Sequence, residues 1–245
     1  MWLKSEQFNH FKFLSIESTH LLARKLVGGG ARFAIIRADE QTAGITTKAG
    51  SPWESPKGNL FWTMLASLPP GLDRRVPEIS LATALAAVRA IRRFLPDDAS
   101  ICIKWPNDIL VNKQKVAGIL IEKMGLCALI SIGVNVQKSP AAAVKYPTTC
   151  LNAAGAHAGP KDVAVAFEDE LIKSLNQLGV KGFASVRDAA APFLYRLGER
   201  VWIQSAGRNL EGVFVDLAEN GGIIVETKDG EITLVSGELT KENFV

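Results

Sequence analysis

The chain has 245 residues, 47% of them apolar and 22% charged, with a formal net charge of +3. This length allows one large domain, or a medium-sized domain with a small one, and the composition excludes a disordered or low-complexity protein. Lysine and arginine residues are scattered rather than gathered in one stripe, which argues against a nucleic-acid partner.

The N-terminal segment and the cysteines favour a cytoplasmic protein. Residues 1–15 lack an apolar core followed by a cleavage site, so they do not resemble a signal peptide. The sequence contains no apolar run of about 18 residues, so we expect no membrane-spanning helix and no membrane partner. Cys102, Cys127 and Cys150 form no CxxC pair, which predicts reduced cysteines without a zinc site or a disulfide framework.

In chain order, the first half predicts strands, two helices and a long loop. Hydroxyl residues Ser18 and Thr19 are typical of a helix start, and the three glycines at 28–30 are typical of a helix end. Residues 77–95 carry the strongest helical periodicity, and Pro96 ends it. The other elements of this half are predicted strands at 11–14, 32–38 and 59–65, and a loop at 40–58.

The second half begins with β-rich runs that are separated by tight polar turns, which is typical of an antiparallel meander. Helices are then predicted, and from residue 198 short strands alternate with turn residues. This order favours an α+β fold with a mainly antiparallel sheet, and a small C-terminal β-barrel. The predicted strands are 100–104, 108–111, 115–123 and 128–136, the helices 161–178 and 182–195, and the two domains 1–196 and 197–245.

The segment Lys104-Trp105-Pro106-Asn107-Asp108 is the first candidate for chemistry. It lies at the end of a predicted strand, where Pro106 fixes the turn. Asn107 and Asp108 have the chemistry to contact a nucleotide, a metal-bound phosphate or an incoming amine. A surface turn is the alternative, because Asn and Asp are common in turns.

Two further strands carry candidate residues. Lys115 lies on an apolar strand with Gly118 three positions later, which suggests an anionic ligand close to the backbone, although an exposed hairpin lysine is the alternative. Asn135 ends another apolar strand, and a buried amide needs a partner, either a ligand base or the neighbouring backbone. The loop at 41–59 could present backbone N–H groups to an anion, but it lacks a phosphate-loop pattern.

Taken together, these segments resemble the biotin protein ligase family, also called holocarboxylase synthetases. The run KWPNDILVNKQKVAGILIE at 104–122 is similar to that family's most specific signature. The similarity covers about residues 10–240. Supporting segments lie in the family's order: Ser18-Thr19, QTAG at 41–44, WESPKGNL at 53–60, GVNV at 133–136 and GEL at 237–239.

The resemblance implies a two-step reaction on a class II synthetase-like catalytic domain with an SH3-like C-terminal barrel. Biotin is first activated with ATP, with Mg²⁺ assisting, to give biotinyl-5'-AMP and pyrophosphate. A lysine of a biotin carboxyl carrier domain then attacks the activated carbonyl, and AMP leaves. No metal-ligating residue is assigned.

The resemblance also implies roles for individual residues. Lys115 would orient the biotin carboxylate and the α-phosphate, and Asp108 would act near the phosphates and the acceptor amine. The implied biotin-binding residues are Ser18, Thr19, Gln41, Gly44, Lys115, Gly118 and Leu120, and the implied ATP- or adenylate-binding residues are Lys48, Trp53, Lys104, Asn107 and Asn135.

One loop departs from the family pattern. The family's loop usually contains several arginines, whereas the segment from Gly44 to Trp53 reads GITTKAGSPW, with Lys48 as its one cation. A lysine cannot make bidentate guanidinium contacts to phosphate, so we expect weaker retention of the adenylate than in a typical member. Few residues precede Ser18, so we also expect no helix-turn-helix module and no DNA-binding role.

Two rival functions remain at this stage. A lipoate-type protein ligase shares the fold and the adenylation logic, although the KWPND segment and the C-terminal part favour biotin. A non-catalytic biotin-binding relative with a degenerate loop is the second rival, and Lys104, Asp108 and Lys115 argue against it. Some family members form homodimers through sheet edges, and the sequence leaves the oligomeric state and the identity of the acceptor carboxylase open.

Overall fold

The computed structural model describes residues 2–47, 52–72, 75–140 and 146–240. These residues form two β-sheets and four α-helices in the described part of the chain. The strands of the first sheet are β1 (Asn9–Phe13), β2 (Phe33–Ala38), β3 (Leu60–Ser67), β4 (Ile101–Lys104), β5 (Asp108–Val111), β6 (Gln114–Met124) and β7 (Cys127–Val134). The helices are α1 (Thr19–Gly28), α2 (Val76–Arg92), α3 (Pro160–Lys181) and α4 (Phe183–Ala190).

The seven-stranded sheet confirms the predicted α+β fold. Its strand order is β1-β2-β3-β7-β6-β5-β4, and among the described strands only β1 and β2 pair in parallel. Strands β4 to β7 form the predicted antiparallel meander, with a register shift between Ile109 and Leu110 in the β5–β6 pair. The antiparallel pairing of β5 with β6 places Gly118 and Ile119, in the middle of β6, beside the β4–β5 turn.

One side of this sheet, which we call the packed face, is filled by apolar side chains. Trp62 and Met64 of β3 and Ile130 and Ile132 of β7 are buried in one core with helices α2 and α3. The ring of Phe167 on α3 meets Trp62 edge to face, with 5.0 Å between ring centroids. This core ties the helices to the sheet and supplies most of the apolar burial of the fold.

The other side, which we call the open face, carries the alternate residues of the same strands, because successive strand side chains point to opposite faces. Helix α1 covers one end of it, where Ala23 packs with Ile36 and Leu129. Beyond α1 the apolar residues give way to Thr63, Ser131 and Gly133. The open face is therefore apolar under α1, and beyond it carries hydroxyls and a glycine beside the ring of Phe61.

The helices begin and end close to the predicted positions. Helix α2 starts at Val76 and ends at Arg92, whose guanidinium donates hydrogen bonds to the carbonyls of Pro96 and Ala99. The segment predicted as a helix at 182–195 divides into α4 and a 3₁₀ turn at Ala191–Phe193, because Pro192 cannot donate a helical hydrogen bond.

The C-terminal residues form a five-stranded antiparallel sheet with the order β11-β10-β9-β8-β12. It packs on the first part of the chain. The indole nitrogen of Trp105 lies 3.4 Å from the carbonyl oxygen of Gly221, in the turn between β9 and β10. The strands are β8 (Arg200–Ser205), β9 (Arg208–Leu217), β10 (Ile223–Thr227), β11 (Gly230–Leu234) and β12 (Glu238–Thr240).

No helix among the described residues is long and apolar enough to cross a membrane.

Candidate functional site

A cavity of about 890 Å³ opens on the open face, between α1, the loop after β2, the β4–β5 turn and the C-terminal sheet. Its size suits a ligand of tens of atoms. Most of the predicted site residues meet here. Those that line the cavity are Ser18, Thr19, Gln41, Trp53, Lys104, Asn107, Asp108, Lys115, Gly118, Leu120 and Asn135.

One end of the cavity, which we call the hydroxyl end, is lined by Ser18, Thr19, Gln41 and Ser131, and the buried hydroxyl of Thr63 joins Thr19 to Ser131 behind them. Ser18 caps α1, since its Oγ accepts a hydrogen bond from the N–H of Leu21. Gln41 holds Thr19 twice, because its Oε1 accepts from the backbone N–H at 2.8 Å and from the hydroxyl at 3.1 Å. Ser18, Thr19 and Thr63 are all buried, so these groups are desolvated.

The hydroxyl end is supported by a buried histidine that is hydrogen-bonded to a carboxylate. His20 Nδ1 lies 2.7 Å from the hydroxyl of Ser131, and its Nε2 lies 2.6 Å from a carboxylate oxygen of Glu122. Arg24 donates a hydrogen bond to the same oxygen over 2.7 Å. Burial lowers the pKa of His20, although Glu122 opposes the shift.

The carboxylate of Glu122 is stabilised in its ionised form. Burial opposes ionisation of this carboxyl, but hydrogen bonds and charge from His20 and Arg24 outweigh it, so the pKa of Glu122 lies below its ordinary value. The pair of His20 and Glu122 therefore gives the hydroxyl end a charged support that ends at the protein surface.

The middle of the cavity has a glycine floor. Gly118 of β6 and Gly133 of β7 face each other across the strand pair, and the indole of Trp53 lies over both. A Cβ atom added at Gly118 or Gly133 would come within 2.9 Å or 2.5 Å of that ring. Both positions therefore require the absence of a side chain if Trp53 is to lie flat on the sheet.

The far end of the cavity, which we call the charged end, consists of Lys104, Asp108 and Lys115. The Nζ of Lys115 lies 2.6 Å from Oδ1 of Asp108, and both side chains are partly exposed, at 22% and 17%. Lys104 lies directly across the β4–β5 pair from Asp108, is buried, and stacks its ammonium over the ring of Tyr146 at 3.9 Å. Two lysines thus flank one carboxylate, which favours an anionic ligand.

The turn between β4 and β5 positions this end. It contains the cis peptide bond between Trp105 and Pro106. The side-chain amide of Asn107 donates to the carbonyl of Ile119 over 2.9 Å, and the N–H of Ile119 donates back to the carbonyl of Asn107. In this structure the amide nitrogen of Asn107 therefore joins the turn to β6.

Asn135 also uses its side chain within the fold. Its amide nitrogen donates to the carbonyl of Thr149 over 3.2 Å, and its backbone N–H donates to Val116. Of the two partners that the sequence left open for this amide, the structure shows the neighbouring backbone. Asn135 thereby ties residues 149–151 to the floor of the cavity.

Among the described residues, one predicted site residue, Gly44, does not line the cavity. A Cβ atom added at Gly44 would lie 2.5 Å from the carbonyl oxygen of Trp53 and 2.7 Å from the hydroxyl oxygen of Ser55. Gly44 thus lets the two arms of the loop approach each other, and the N–H of Trp53 donates to its carbonyl. Lys48 lies outside the described residues.

Several residues of the site were missed from the sequence. Thr63 and Ser131 each stand as a single hydroxyl in an otherwise apolar strand, which is a signal that could have identified them. The C-terminal part contributes Gln204, Gly221 and Glu238 to the cavity. Glu238 lies in the GEL segment at 237–239, which was given no role in the site, and no local pattern identifies Gln204 or Gly221.

The cysteines add nothing to the chemistry of the cavity. The three cysteines are free, and burial raises the pKa of Cys102 to about 11, so that its thiol stays protonated. Within the described ranges, no three His, Cys, Asp or Glu side chains lie close enough together to hold a metal ion.

The fold and the cavity define a protein of the biotin and lipoate ligase class. Residues 25–137 match the Biotin/lipoate A/B protein ligase family, and residues 197–239 match the Biotin protein ligase C terminal domain. The chain belongs to the biotin protein ligase family. It is 30% identical to the biotin–[acetyl-CoA-carboxylase] ligase of Paracoccus denitrificans over 233 residues, which cover 91% of this chain and 96% of that protein.

Solved structures of biotin protein ligases share the fold. The Aquifex aeolicus biotin protein ligase in complex with biotin and ATP superposes with a TM-score of 0.80 at 24% identity, over 95% of this chain and 97% of that chain. The Leishmania major biotin protein ligase in complex with biotinyl-5-AMP superposes with a TM-score of 0.64 at 26% identity, over 96% and 98% of the two chains.

Proposed function

We propose that this protein activates biotin with ATP to biotinyl-5'-AMP and transfers the biotin to a lysine of a biotin carboxyl carrier domain. The observation that carries the proposal is the Lys115–Asp108 pair at one end of a cavity whose other end is lined with hydrogen-bonding hydroxyls. The similarity to the Paracoccus denitrificans ligase over nearly the whole chain supports the choice of biotin.

The first step needs a cation at the charged end. A carboxylate and an α-phosphate repel each other, and a lysine between them lowers the free energy of the transition state in a water-poor site. Lys115 has the position for this role, with its ammonium held near Asp108 and 5.3 Å from the centroid of the Trp53 ring. In this scheme Lys115 is not a nucleophile, because the attacking atom is the biotin carboxylate oxygen.

The second step needs a neutral amine. The acceptor lysine attacks the carbonyl carbon of the adenylate only through its unprotonated nitrogen, so a nearby carboxylate assists by accepting a proton or by holding the amine. Asp108 has the chemistry for this step. AMP leaves with the phosphate oxygen, and the new bond is the amide between biotin and the carrier lysine.

The hydroxyl end has the chemistry for a urea ring, which presents one carbonyl acceptor and two N–H donors. The Ser18 oxygen already accepts from the helix backbone, so its hydroxyl proton can be donated to a ligand carbonyl. Thr19 and Gln41 supply oxygens that can accept from ligand N–H groups. We propose that the bicyclic ring of biotin binds here, with Gly118 and Leu120 as the wall and the carboxylate directed to Lys115.

Nucleotide and metal would enter together. We assign Trp53, Lys104, Asn107, Asn135 and, by family similarity, Lys48 to the adenylate side of the cavity. Mg²⁺ in such sites is held largely by substrate phosphates and waters with one or two carboxylates, which fits a cavity that has Asp108 beside its lysines. Bound with ATP, the ion would neutralise phosphate charge.

We further propose the partner, the location and the domain limits. The partner is the carrier domain of a biotin-dependent carboxylase, and the location is the cytoplasm, in keeping with three free cysteines. The division at residues 1–196 and 197–245, with an SH3-like second domain, is supported by the start of the second sheet at Arg200. Faster loss of the adenylate than in an arginine-rich relative remains a prediction from the loop sequence.

The test is transfer of biotin to a purified carrier domain with ATP and Mg²⁺, by the wild type and by Lys115→Ala. Removal of one electrostatic contact to the transition state lowers kcat by a factor of about 100 to 1,000, and we expect a loss of at least tenfold here. Lys228→Ala, the same change at an exposed turn residue, should transfer at the wild-type rate.

Other outcomes would point elsewhere. Wild-type protein that binds biotin but transfers none would indicate a non-catalytic binding protein. Acylation of a lipoyl domain in place of the biotin carrier would indicate a lipoate ligase. Full activity of Lys115→Ala would contradict the assigned role of this lysine.

A further inference from the structure

A continuous row of hydrogen bonds leads from the surface to the cavity, and we call its members the relay. It consists of Glu122, His20, Ser131, Thr63, Thr19 and Gln41. The separations along it are 2.6, 2.7, 2.7, 2.9 and 3.1 Å between consecutive side-chain polar atoms. Its inner end is the pair of Thr19 and Gln41, and along its length Ser131 and His20 also line the cavity.

The relay has a direction, because each hydroxyl has one proton to donate. Gln41 Oε1 can only accept. When Thr19 donates to Gln41, Thr63 donates to Thr19, Ser131 donates to Thr63, and Nδ1 of His20 must donate to Ser131. We call this the protonated arrangement, because it places one proton on Nδ1 of His20 while a second proton lies between Nε2 and Glu122.

The opposite direction needs one proton fewer. When Nε2–H of His20 donates to Glu122 and Nδ1 is bare, Ser131 donates to Nδ1, Thr63 donates to Ser131, and Thr19 donates to Thr63. Gln41 Oε1 then keeps the backbone N–H of Thr19 but is released by the Thr19 hydroxyl. We call this the deprotonated arrangement, and it gives the cavity one more free hydrogen-bond acceptor.

We propose that the His20–Glu122 pair positions the urea-binding groups of this protein: uptake of one proton by the pair reverses the relay and withdraws an acceptor from the biotin ring. This inference rests on the proposed function, since it takes the two urea N–H groups of biotin as the donors that need acceptors. His20 touches no reacting atom, so it acts through Ser131, Thr63 and Thr19 as a positioning residue.

The surroundings of His20 set which direction prevails. Glu122 from β6 and Arg24 from α1 are the charged groups that face it, and β7 and β3 contribute the uncharged hydroxyls of Ser131 and Thr63. Burial favours the neutral ring and lowers its pKa below the ordinary value of 6.5, so near neutral pH the relay has the deprotonated arrangement. At acid pH the relay changes to the protonated arrangement.

The experiment is calorimetric titration of the full chain with biotin alone, without ATP, between about pH 5.5 and pH 8, where a histidine changes charge. For the wild type we expect affinity to fall about tenfold toward the acid end, the equivalent of one lost hydrogen bond in a desolvated site. Repeating the titration in buffers of different ionisation enthalpy should show that biotin binding releases a fraction of a proton.

Three variants separate positioning from general damage. His20→Asn keeps a polar side chain that does not titrate, so its biotin affinity should change less than about twofold over the same range and no proton should be released. Ser131→Ala keeps His20 but interrupts the relay, and should also lose the proton release. His157→Asn removes an exposed histidine and should behave as the wild type. Thermal melts at each pH verify folding.

The two hypotheses fail differently. If the affinity of the wild type for biotin does not change with pH and binding releases no proton, the relay is wrong but the proposed function stands. The same conclusion follows if folded His20→Asn shows the same pH dependence of biotin affinity as the wild type. Absence of biotin binding by the wild type at every pH would overturn the proposed function and the relay with it.

Discussion

Side chains of the seven-stranded sheet alternate between its two faces, and the two faces have different roles. On β3, Trp62 and Met64 enter the packed face, and Thr63 between them enters the open face. On β7, Ile130 and Ile132 enter the packed face, while Ser131 joins the relay. A shift of register by one residue would exchange the two sets, so the apolar core fixes the position of the polar site.

This difference between the two faces shows that the stability of the fold and the recognition of a ligand depend on different side chains. The packed face gains free energy from area removed from water, which depends on volume and little on direction. The open face holds buried hydroxyls and a charged pair, which cost free energy unless each has its partner. Changes on the packed face should therefore alter stability, and changes on the open face should alter ligand affinity.

The largest expected effect is on the packed face. Leu85 of α2 is fully buried, and Leu85→Ala removes its contacts and leaves a cavity. The free energy of unfolding should fall by about 2–5 kcal/mol, measured by urea denaturation, with the KM for biotin unchanged at a temperature where the variant is folded. Leu126→Ala, at an exposed turn leucine, is the control. A raised KM in Leu85→Ala would break the division between the faces.

A smaller effect, on affinity, is expected on the open face. Gly133→Ala places a methyl group 2.5 Å from the indole of Trp53, so the ring must leave the glycine floor. We expect the KM for biotin to rise about tenfold, a free-energy change that corresponds to one displaced contact, with thermal stability nearly unchanged. Gly28→Ala, where a Cβ meets nothing within 4 Å, is the matched control. Unchanged KM in folded Gly133→Ala would show that the Trp53 position is unimportant for binding.

The smallest effect concerns pH and stability. His20 has a pKa below its ordinary value of 6.5, so the unfolded chain binds a proton there before the folded chain does. The free energy of unfolding should therefore be fully retained above pH 6.5 and decrease as the pH falls below it. In His20→Asn this decrease should be shallower. An equal slope in both proteins would place the acid sensitivity elsewhere.

Much of the fold could be predicted because its signals are local. The apolar runs of β3 and β7 and the helical spacing in α2 depend on neighbours in sequence, and the structure has these elements within a few residues of the predictions. The loop after β2 is recognised by its Gly and Pro residues. The division of the predicted helix at 182–195 into α4 and a 3₁₀ turn depends on Pro192 alone, and a single residue of this kind is easily missed in a helical pattern.

The candidate site divides in the same way. Lys104, Asp108 and Lys115 belong to one meander, so a single continuous segment contains the information that brings them together. Thr63, Ser131 and His20 come from three separate elements, with up to 111 residues between partners. No window of sequence contains both members of such a contact.

The sequence by itself determined the family, the order of the strands and helices, and the charged residues of the signature, since each of these is written in one short stretch. Tertiary structure alone decided that Ser131 joins Ser18 and Thr19 at the cavity, that Trp53 lies on two glycines, and that His20 is buried against Glu122. The physical reason is that desolvation and hydrogen-bond direction depend on what surrounds a group in space, which only the packed sheet supplies.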